Sequence, residues 1–264
     1  MNKNDCQTIK LGKGEMHVYD FSDIKLHAYQ TNDLIDDEVF ILEKNGQAVV
    51  IESPCFYDNI SELSDYLKDL NTVGMLVAYH GGGGSFAVDL PKYATANSIE
   101  YNLHGGGYDL IQNFARNFGD NFDVSIHKVE NIIEAGEVVI GGIRFIIEPT
   151  AEAFDIVIPE INTVYTHMMG HDCHSIVAGE TMANAMIEQL EGYLKEGYDL
   201  ILTSHYTPED LKDAQTKIEY LQNLKKIAAA CDSKESFIAK VEQEYPNYAG
   251  QNYLEMTAGF FYQQ

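Results

Sequence analysis

Residues 7–53 carry short β-rich runs separated by polar breaks, the pattern of a β-meander. Strands are expected at residues 16–21 and 25–30. A hairpin follows, with arms at 38–43 and 47–52 about Lys44-Asn45-Gly46. Asn-Gly between two β-rich runs is the strongest short-range hairpin signal, because both residues accept the positive φ that such a turn needs. Pro54 ends the second arm. Ile60, Leu63, Tyr66, Leu67 and Leu70 then recur at helical spacing, with Asp58 or Asn59 as the expected N-cap.

Residues 74–79 are continuously apolar, as in a strand covered on both faces, and end in His80, four glycines and Ser85. A short strand is expected at 92–96 and a helix at 108–118, after His104 and the break at glycines 105–107. Residues 123–149 return to β patterning, with Gly141-Gly142 as a turn inside 137–148. Strands at 154–158 and 161–166 flank Pro159-Glu160. A helix over 181–195 places Met182, Met186, Leu190 and Leu194 on one face. Residues 199–204 form another buried strand, ending in His205. Thr207 as N-cap, Pro208 in first position and acids in the first turn open a long helix. That helix turns Leu211, Ile218, Leu221, Leu224 and Ile227 inward. A shorter helix covers 233–245, and the aromatic tail 253–262 packs on the core. Two halves, each a mixed sheet with helices outside, predict an α+β fold: a four-layer αββα sandwich. No linker or composition shift divides residues 1–264, so one domain is expected.

Length and a 45% hydrophobic share allow a large core. Lys plus Arg number 17 against 41 Asp plus Glu, a net charge of −24. That charge repels nucleic acid and anionic membrane surfaces, so neither is an expected partner. The N-terminus has no apolar run of signal-peptide type, and no stretch is long enough to span a membrane. Cys6, Cys55, Cys173 and Cys231 are scattered without a CxxC pair, which fits a reducing cytoplasm.

Candidate chemistry lies at strand ends. Three of the nine histidines, His167, His171 and His174, fall within eight residues, just after a β-branched run. Neutral imidazole is the commonest metal ligand; the plain alternative is a polar loop whose histidines only hydrogen-bond. The glycines at 81–84 admit three readings: close backbone approach to a ligand, a phosphate loop, or a flexible turn. A phosphate loop would end in Lys-Ser/Thr, which is absent.

Several motifs resemble the metallo-β-lactamase superfamily of hydrolases. The hairpin of residues 39–52, ending in Glu52, resembles that family's first hairpin. Residues 158–166 resemble the hairpin before its bridging ligand, and residues 199–205 its last histidine strand. The likeness spans roughly residues 16 to 228. The family's H-x-H-x-D-H signature is degenerate here: His80 stands first, while Gly82, Gly84 and Ser85 occupy the places of His, Asp and His. The bridging aspartate's place falls at or beside His167. Residues 149–153, with Glu152, and the pair His171 and His174 are similar to the alkylsulfatase branch.

The resemblance therefore implies a rearranged site. His80, His167, His171 and His205 are the expected ligands of one transition metal, zinc first. Glu152 and His174 are the catalytic candidates, and Gly82, Gly83, Gly84 and Ser85 would line a substrate site. Such a metal would lower the pKa of bound water towards ~7 and polarise a carbonyl, phosphoryl or sulfuryl oxygen. The function implied is metal-dependent hydrolysis of a small-molecule substrate. The alternative is a member that has lost catalysis and binds a small molecule or a protein partner.

Overall fold

Strands β1 (Gln7–Lys10), β2 (Glu15–Asp20), β3 (Lys25–Gln30), β4 (Glu38–Lys44) and β5 (Gln47–Ile51) follow one another antiparallel in the computed structural model, which describes residues 1–168 and 170–262. The β4–β5 turn forms as its residues require: Asn45 has φ 51° and Gly46 φ 74°. Helix α1 (Tyr57–Leu67) then crosses to β6 (Thr72–Leu76), which pairs parallel with β5. Strand β7 (Lys92–Ala94), helices α2 (Ala96–His104) and α3 (Gly106–Phe118), and β8 (Asn131–Ile132) complete this first sheet in the order β1 to β8.

A second sheet runs β13-β12-β11-β10-β9. It comprises β9 (Gly136–Ile140), β10 (Ile143–Pro149), β11 (Phe154–Ile158), β12 (Thr163–Thr166) and β13 (Leu200–Thr203). In this sheet β12 and β13 pair parallel and the other strands antiparallel, and in the first sheet β5 to β8 pair parallel, so both sheets are mixed. One hydrophobic core joins them: Phe40, Leu42, Val49 and Leu76 from the first sheet cluster with Phe145, Ile156, Tyr165 and Leu202 from the second. Residues 39–42 are buried on both faces of the first sheet, which is why that run is continuously apolar rather than alternating.

The chain divides into two compact units. The first is residues 1–168 with 199–208, and holds both sheets and α1 to α3. The second is the described part of 169–198 and 209–264, and is helical. Within it, α4 (Gly179–Glu196) packs along α5 (Leu211–Ala230), followed by α6 (Lys234–Glu244) and α7 (Gln251–Phe261). Two mixed sheets and, among the described residues, seven α-helices make the α+β class expected above. No helix among the described residues is long and apolar enough to cross a membrane, and all four cysteines are free.

The differences from the sequence reading have local causes. Helix α1 starts after Phe56 without a side-chain cap. Asn59 does not cap it because its amide turns inward, donating to Thr31 O at 2.7 Å and Tyr29 Oη at 3.0 Å. Helix α2 was not expected, since its buried residues are Ser98 and Asn102, an inward face with no hydrophobic period. Thr95 caps it by accepting from Ser98 N. Helix α5 starts three residues later than Thr207 and Pro208 suggest, because Asp210 and Asp213 form a reciprocal capping box.

Residues 123–130 form no strand, and their backbone binds the glycine loop instead. Asp123 O accepts from Gly83 N, Ser125 O from Gly84 N, and Gly81 O accepts from His127 N. The glycines are required by close approach to the protein itself. Gly83 has φ 73°, and a Cβ there would lie 2.2 Å from Pro54 O. A Cβ at Gly84 would lie 2.8 Å from the Ile126 backbone, and one at Gly81 2.4 Å from the Asn102 side chain.

This distinguishes two glycines of similar φ. Gly83→Ala combines an unfavourable φ with a backbone clash and should lower unfolding free energy by about 2–3 kcal/mol. Gly46→Ala, with open space around the added methyl, should cost about 1 kcal/mol. Urea denaturation of the two variants measures the difference; equal costs would refute the packed-loop account.

Candidate metal centre

Glu52 follows β5 in the left-handed region, with φ 69°. Its carboxylate is fully buried and accepts three hydrogen bonds. Tyr79 N donates at 2.7 Å and Tyr165 Oη at 2.5 Å to Oε1, while His80 N donates at 3.0 Å to Oε2. The donors come from the segment after β6 and from β12, so one side chain ties the loop of the first sheet to the second. Burial raises the Glu52 pKa; the hydrogen bonds from Tyr165, Tyr79 and His80 oppose that.

Three histidines converge beside it. His80 follows β6, His167 follows β12 and His205 follows β13. Their ring centroids are 5.7 Å (His80–His167), 5.5 Å (His80–His205) and 5.3 Å (His167–His205) apart. One ring nitrogen from each lies within 4.8 Å of the other two. The sheet sets this meeting point: Thr166 and Thr203 are paired in parallel register at the ends of β12 and β13.

Each ring is held. His205 Nδ1 lies 3.0 Å from Ile35 O, an acceptor only, so Nδ1 donates and Nε2 is left for a ligand. His167 Nδ1 lies 2.8 Å from Ser204 Oγ, which is 2.9 Å from Tyr165 Oη. Since Tyr165 donates to Glu52, an ordered chain runs from His167 Nδ1–H through Ser204 and Tyr165 to Glu52, again leaving Nε2 outward. Tyr79 stacks on His167 with centroids 4.8 Å apart and 19° between planes. His80 and His205 are largely buried, whereas His167 is exposed, so the group opens to solvent at His167.

Asp37 is bridged by its backbone to His205, with Glu38 N donating to Ser204 O and Tyr206 N to Asp36 O. Its carboxylate is 1% exposed, and neither oxygen has a hydrogen-bond partner in the protein. Oδ1 lies 3.4 Å from His205 Nδ1 and 3.9 Å from His80 Nδ1. The shorter distance is not a hydrogen bond because His205 spends that proton on Ile35 O. Asp36 and Tyr206, on either side of this bridge, have φ of 53° and 67°. Such left-handed backbone costs roughly 1–2 kcal/mol per non-glycine residue and marks an over-determined site.

The electrostatics of the group favour a cation. Burial lowers His80 to about 4, against the pull of the Ser53 carbonyl. Burial and then His80 lower His205 to about 3. His167 is pushed well below the usual imidazole range by desolvation and by His205 and His80. Because His167 meets solvent, repulsion among the three rings is the firmer cause. Burial also holds Asp37 well above the usual carboxylate range, with Asp33, Glu52 and Asp36 adding to this. Neutral imidazoles with a free nitrogen, an orphaned buried carboxylate beside them and an unpartnered His80 Nδ1 are the donor set that a transition metal uses.

The other residues singled out in the sequence lie as follows. His171 joins Glu209 and Asp213 in a second group in the helical unit: its Nδ1 is 2.8 Å from Glu209 Oε1 and its Nε2 3.5 Å from Asp213 Oδ1. His174 is fully buried in the same unit, with Nδ1 2.9 Å from Tyr220 Oη and its ring against Tyr248. Glu152 is exposed in the turn between β10 and β11. The amides of Gly83 and Gly84 bond to the 123–125 backbone, and Ser85 N donates to Asp123 Oδ2 at 2.8 Å. Gly82 O accepts from Ser53 Oγ. Asp37, Ser204, Tyr79 and Tyr165 were not singled out from sequence. The one signal for Asp37 was an acidic run, Asp36-Asp37-Glu38, leading directly into the apolar residues 39–42 of β4.

No family model matches the sequence, and no curated protein matches it. Solved structures do. The stereoselective inverting sec-alkylsulfatase Pisa1 from Pseudomonas sp. matches 90% of this chain at 14% identity and TM-score 0.62; the chain spans 49% of that protein's length. A metallo-β-lactamase family protein from Thermus thermophilus matches 91% of this chain and 92% of its own, at 12% identity and TM-score 0.61. A metallo-β-lactamase from Erythrobacter litoralis matches 82% and 100%, at 11% identity and TM-score 0.56. The chain has the metallo-β-lactamase fold.

Two expectations follow from this geometry. Glu52→Gln presents an amide N–H₂ to backbone N–H donors and should destabilise the protein by about 2–3 kcal/mol, with faster amide exchange at Tyr79 and His80. Unchanged stability and exchange would mean that the carboxylate does not organise the loop. His171 has a raised pKa, first because of its hydrogen bond to Glu209. A raised value contributes stability that is fully present below the unfolded value near 6.5 and is lost as pH rises through the folded value. His171→Gln should therefore cost about 1 kcal/mol at pH 6 and progressively less in alkaline buffer, read by urea denaturation across that range.

Proposed function

We propose that this protein is a metal-dependent hydrolase of a small-molecule substrate, holding one transition metal ion, zinc in the first place, at His80, His167 and His205. The observation that carries this reading is the convergence of three imidazole nitrogens within 4.8 Å at the ends of three strands. When bound, the metal would supply a water of lowered pKa and a Lewis acid for the scissile group. The reaction class comes from the neighbours named a sec-alkylsulfatase and metallo-β-lactamases.

The chain's own residues prepare that chemistry. Ser204 and the Ile35 carbonyl hold the Nδ1 protons of His167 and His205 and so fix both rings in one tautomer. Asp37 faces the Nδ1 side of His80 and His205, where its charge would offset that of a cation on the rings. Tyr79 keeps the His167 ring in plane, with its hydroxyl donating to Asp155 Oδ1 at 2.9 Å. His167, at the exposed side, is where a substrate would approach. The net charge of −24 disfavours polyanionic substrates. His171 is bound to Glu209 in its own group, and we give it no part among the three ligands.

Metal analysis of untagged protein grown in supplemented medium tests this. About one zinc per chain is expected. His80→Ala and His205→Ala should each lose most of it, and His171→Ala should retain it. Added Zn²⁺ at about 100 times its dissociation constant should stabilise metal-free protein by about 2.7 kcal/mol. Protein that carries no metal and gains no stability from Zn²⁺, Ni²⁺ or Mn²⁺ would refute the hydrolase reading.

A further inference from the structure

A second group of metal-ligating side chains lies wholly within the helical unit. His171, in the segment between β12 and α4, meets Glu209 and Asp213 at the start of α5, and one ligand atom of each lies within 4.8 Å of the other two. The Glu209 and Asp213 side chains are each 7% exposed, whereas the His171 side chain is 31% exposed and can be reached from solvent.

Hydrogen bonds fix which atoms face one another. Glu209 Oε1 accepts from His171 N at 2.5 Å and lies 2.8 Å from His171 Nδ1. That oxygen is an acceptor, so Nδ1 carries the proton and the neutral ring presents its lone pair at Nε2. Asp213 Oδ2 accepts from Asp210 N at 2.9 Å, within the capping box of α5. This holds the carboxylate with Oδ1 3.5 Å from His171 Nε2. The segment that carries the ring is fastened as well. The buried Lys217 Nζ donates to Gly170 O at 3.1 Å and to Cys173 O at 2.6 Å, on either side of His171.

The 3.5 Å gap decides between a proton and a metal ion. A charge-assisted N–H···O bond spans about 2.7–2.9 Å, so a proton on Nε2 would be poorly held by Asp213. Two ligand atoms on one tetrahedral ion, with bonds of about 2.1 Å, stand roughly 3.4 Å apart. Glu209 then grips the ring from the Nδ1 side. A carboxylate in that place fixes the tautomer of a ligating imidazole and raises its basicity. The charges of Glu209, Asp213 and Asp172 all act on this ring in the sense that favours a cation.

We propose that His171 Nε2 and Asp213 Oδ1 form a second metal site, for a divalent transition ion, Zn²⁺ in the first place, with Glu209 as its positioning residue and water in the remaining positions. With two protein ligands against three, it is the weaker site: it loses its ion on dilution and fills when zinc is in excess. Its effect is to clamp the segment around His171 onto the start of α5. The site uses residues of the helical unit alone and does not rest on the hydrolase reading.

Zn²⁺ is the probe, titrated into untagged protein and read by equilibrium dialysis and by the ¹⁵N resonances of the His171 ring. The Nε2 resonance should shift saturably while Nδ1 keeps its proton. His171→Ala and Asp213→Asn should each weaken this binding at least tenfold. Glu209→Ala should weaken it too and let the ring proton move to Nε2 in ion-free protein, and Glu209→Gln, which still accepts from Nδ1, should restore the tautomer. A chain carrying both His80→Ala and His205→Ala should still bind about one equivalent, which separates this site from the three-histidine centre. The Nε2 readout in the unmodified protein needs no substitution, so misfolding of a variant would leave the test standing. Zinc that leaves Nε2 unmoved, that never saturates, or whose binding to the doubly substituted chain survives His171→Ala would overturn the proposal and mark adventitious binding to surface carboxylates only.

Discussion

The Glu52 carboxylate is the interaction on which the rest of the centre depends. It is fully buried, yet three donors from two different sheets converge on it. Two of those donors are backbone amides of the residues that deliver the His80 ring. The third, Tyr165, continues through Ser204 to the His167 ring. One side chain therefore sets the height of the glycine loop and, through a chain of hydroxyls, the tautomer of a histidine on the opposite sheet. Chains of this kind polarise one another in a low dielectric, so their members are strongly coupled. The left-handed backbone at Glu52 is the local cost of aiming the carboxylate at all three donors.

Around this anchor the acidic composition takes on a local meaning. Burial, and after it the charges of Asp33, Glu52 and Asp36, raise the Asp37 pKa in a region that also holds three imidazoles that resist protonation. Protein charge alone leaves that region unbalanced: the carboxylates want a cation, and the rings are too crowded to become one. A divalent ion, as proposed above, would let the rings stay neutral while Asp37 ionises.

Much of this was legible in the sequence. The Asn45-Gly46 hairpin, the buried run ahead of His80 and the histidine after β13 followed from turn chemistry and apolar runs, and they suffice to bring three histidines to strand ends. What escaped was polar and inward-facing. Helix α2 hides because Ser98 and Asn102 occupy its buried side, where periodicity looks for apolar residues. Asp37 and Ser204 escaped because nothing in their local sequence distinguishes a buried acid or hydroxyl from a surface one; only the backbone bridge between them and the histidine strands does. His171 shows the converse. Its nearness to His167 along the chain suggested a shared ion; the partner that local sequence could not show is Glu209, 38 residues away, which lies 2.8 Å from its Nδ1.

The packed glycine loop also bears on which substitutions the fold can accept. The ligand signature of metallo-β-lactamases, which the sequence resembles only in part, would place His, Asp and His at positions 82, 84 and 85. A Cβ at Gly82 would stand 3.2 Å from Cys55 Sγ, and one at Gly84 2.8 Å from the Ile126 backbone, with Ser125 Oγ at 2.9 Å. A single codon change at position 84 therefore strains the fold before it supplies any ligand. Installing that signature would need the 53–55 and 123–127 segments to retreat first, and those segments carry the hydrogen bonds that hold the loop. The glycines thus act as a lock: with the backbone closed over them, that ligand pattern cannot be installed one residue at a time. Further adaptation of the centre is channelled instead to residues that already face it, Asp37, Ser204 and Tyr79.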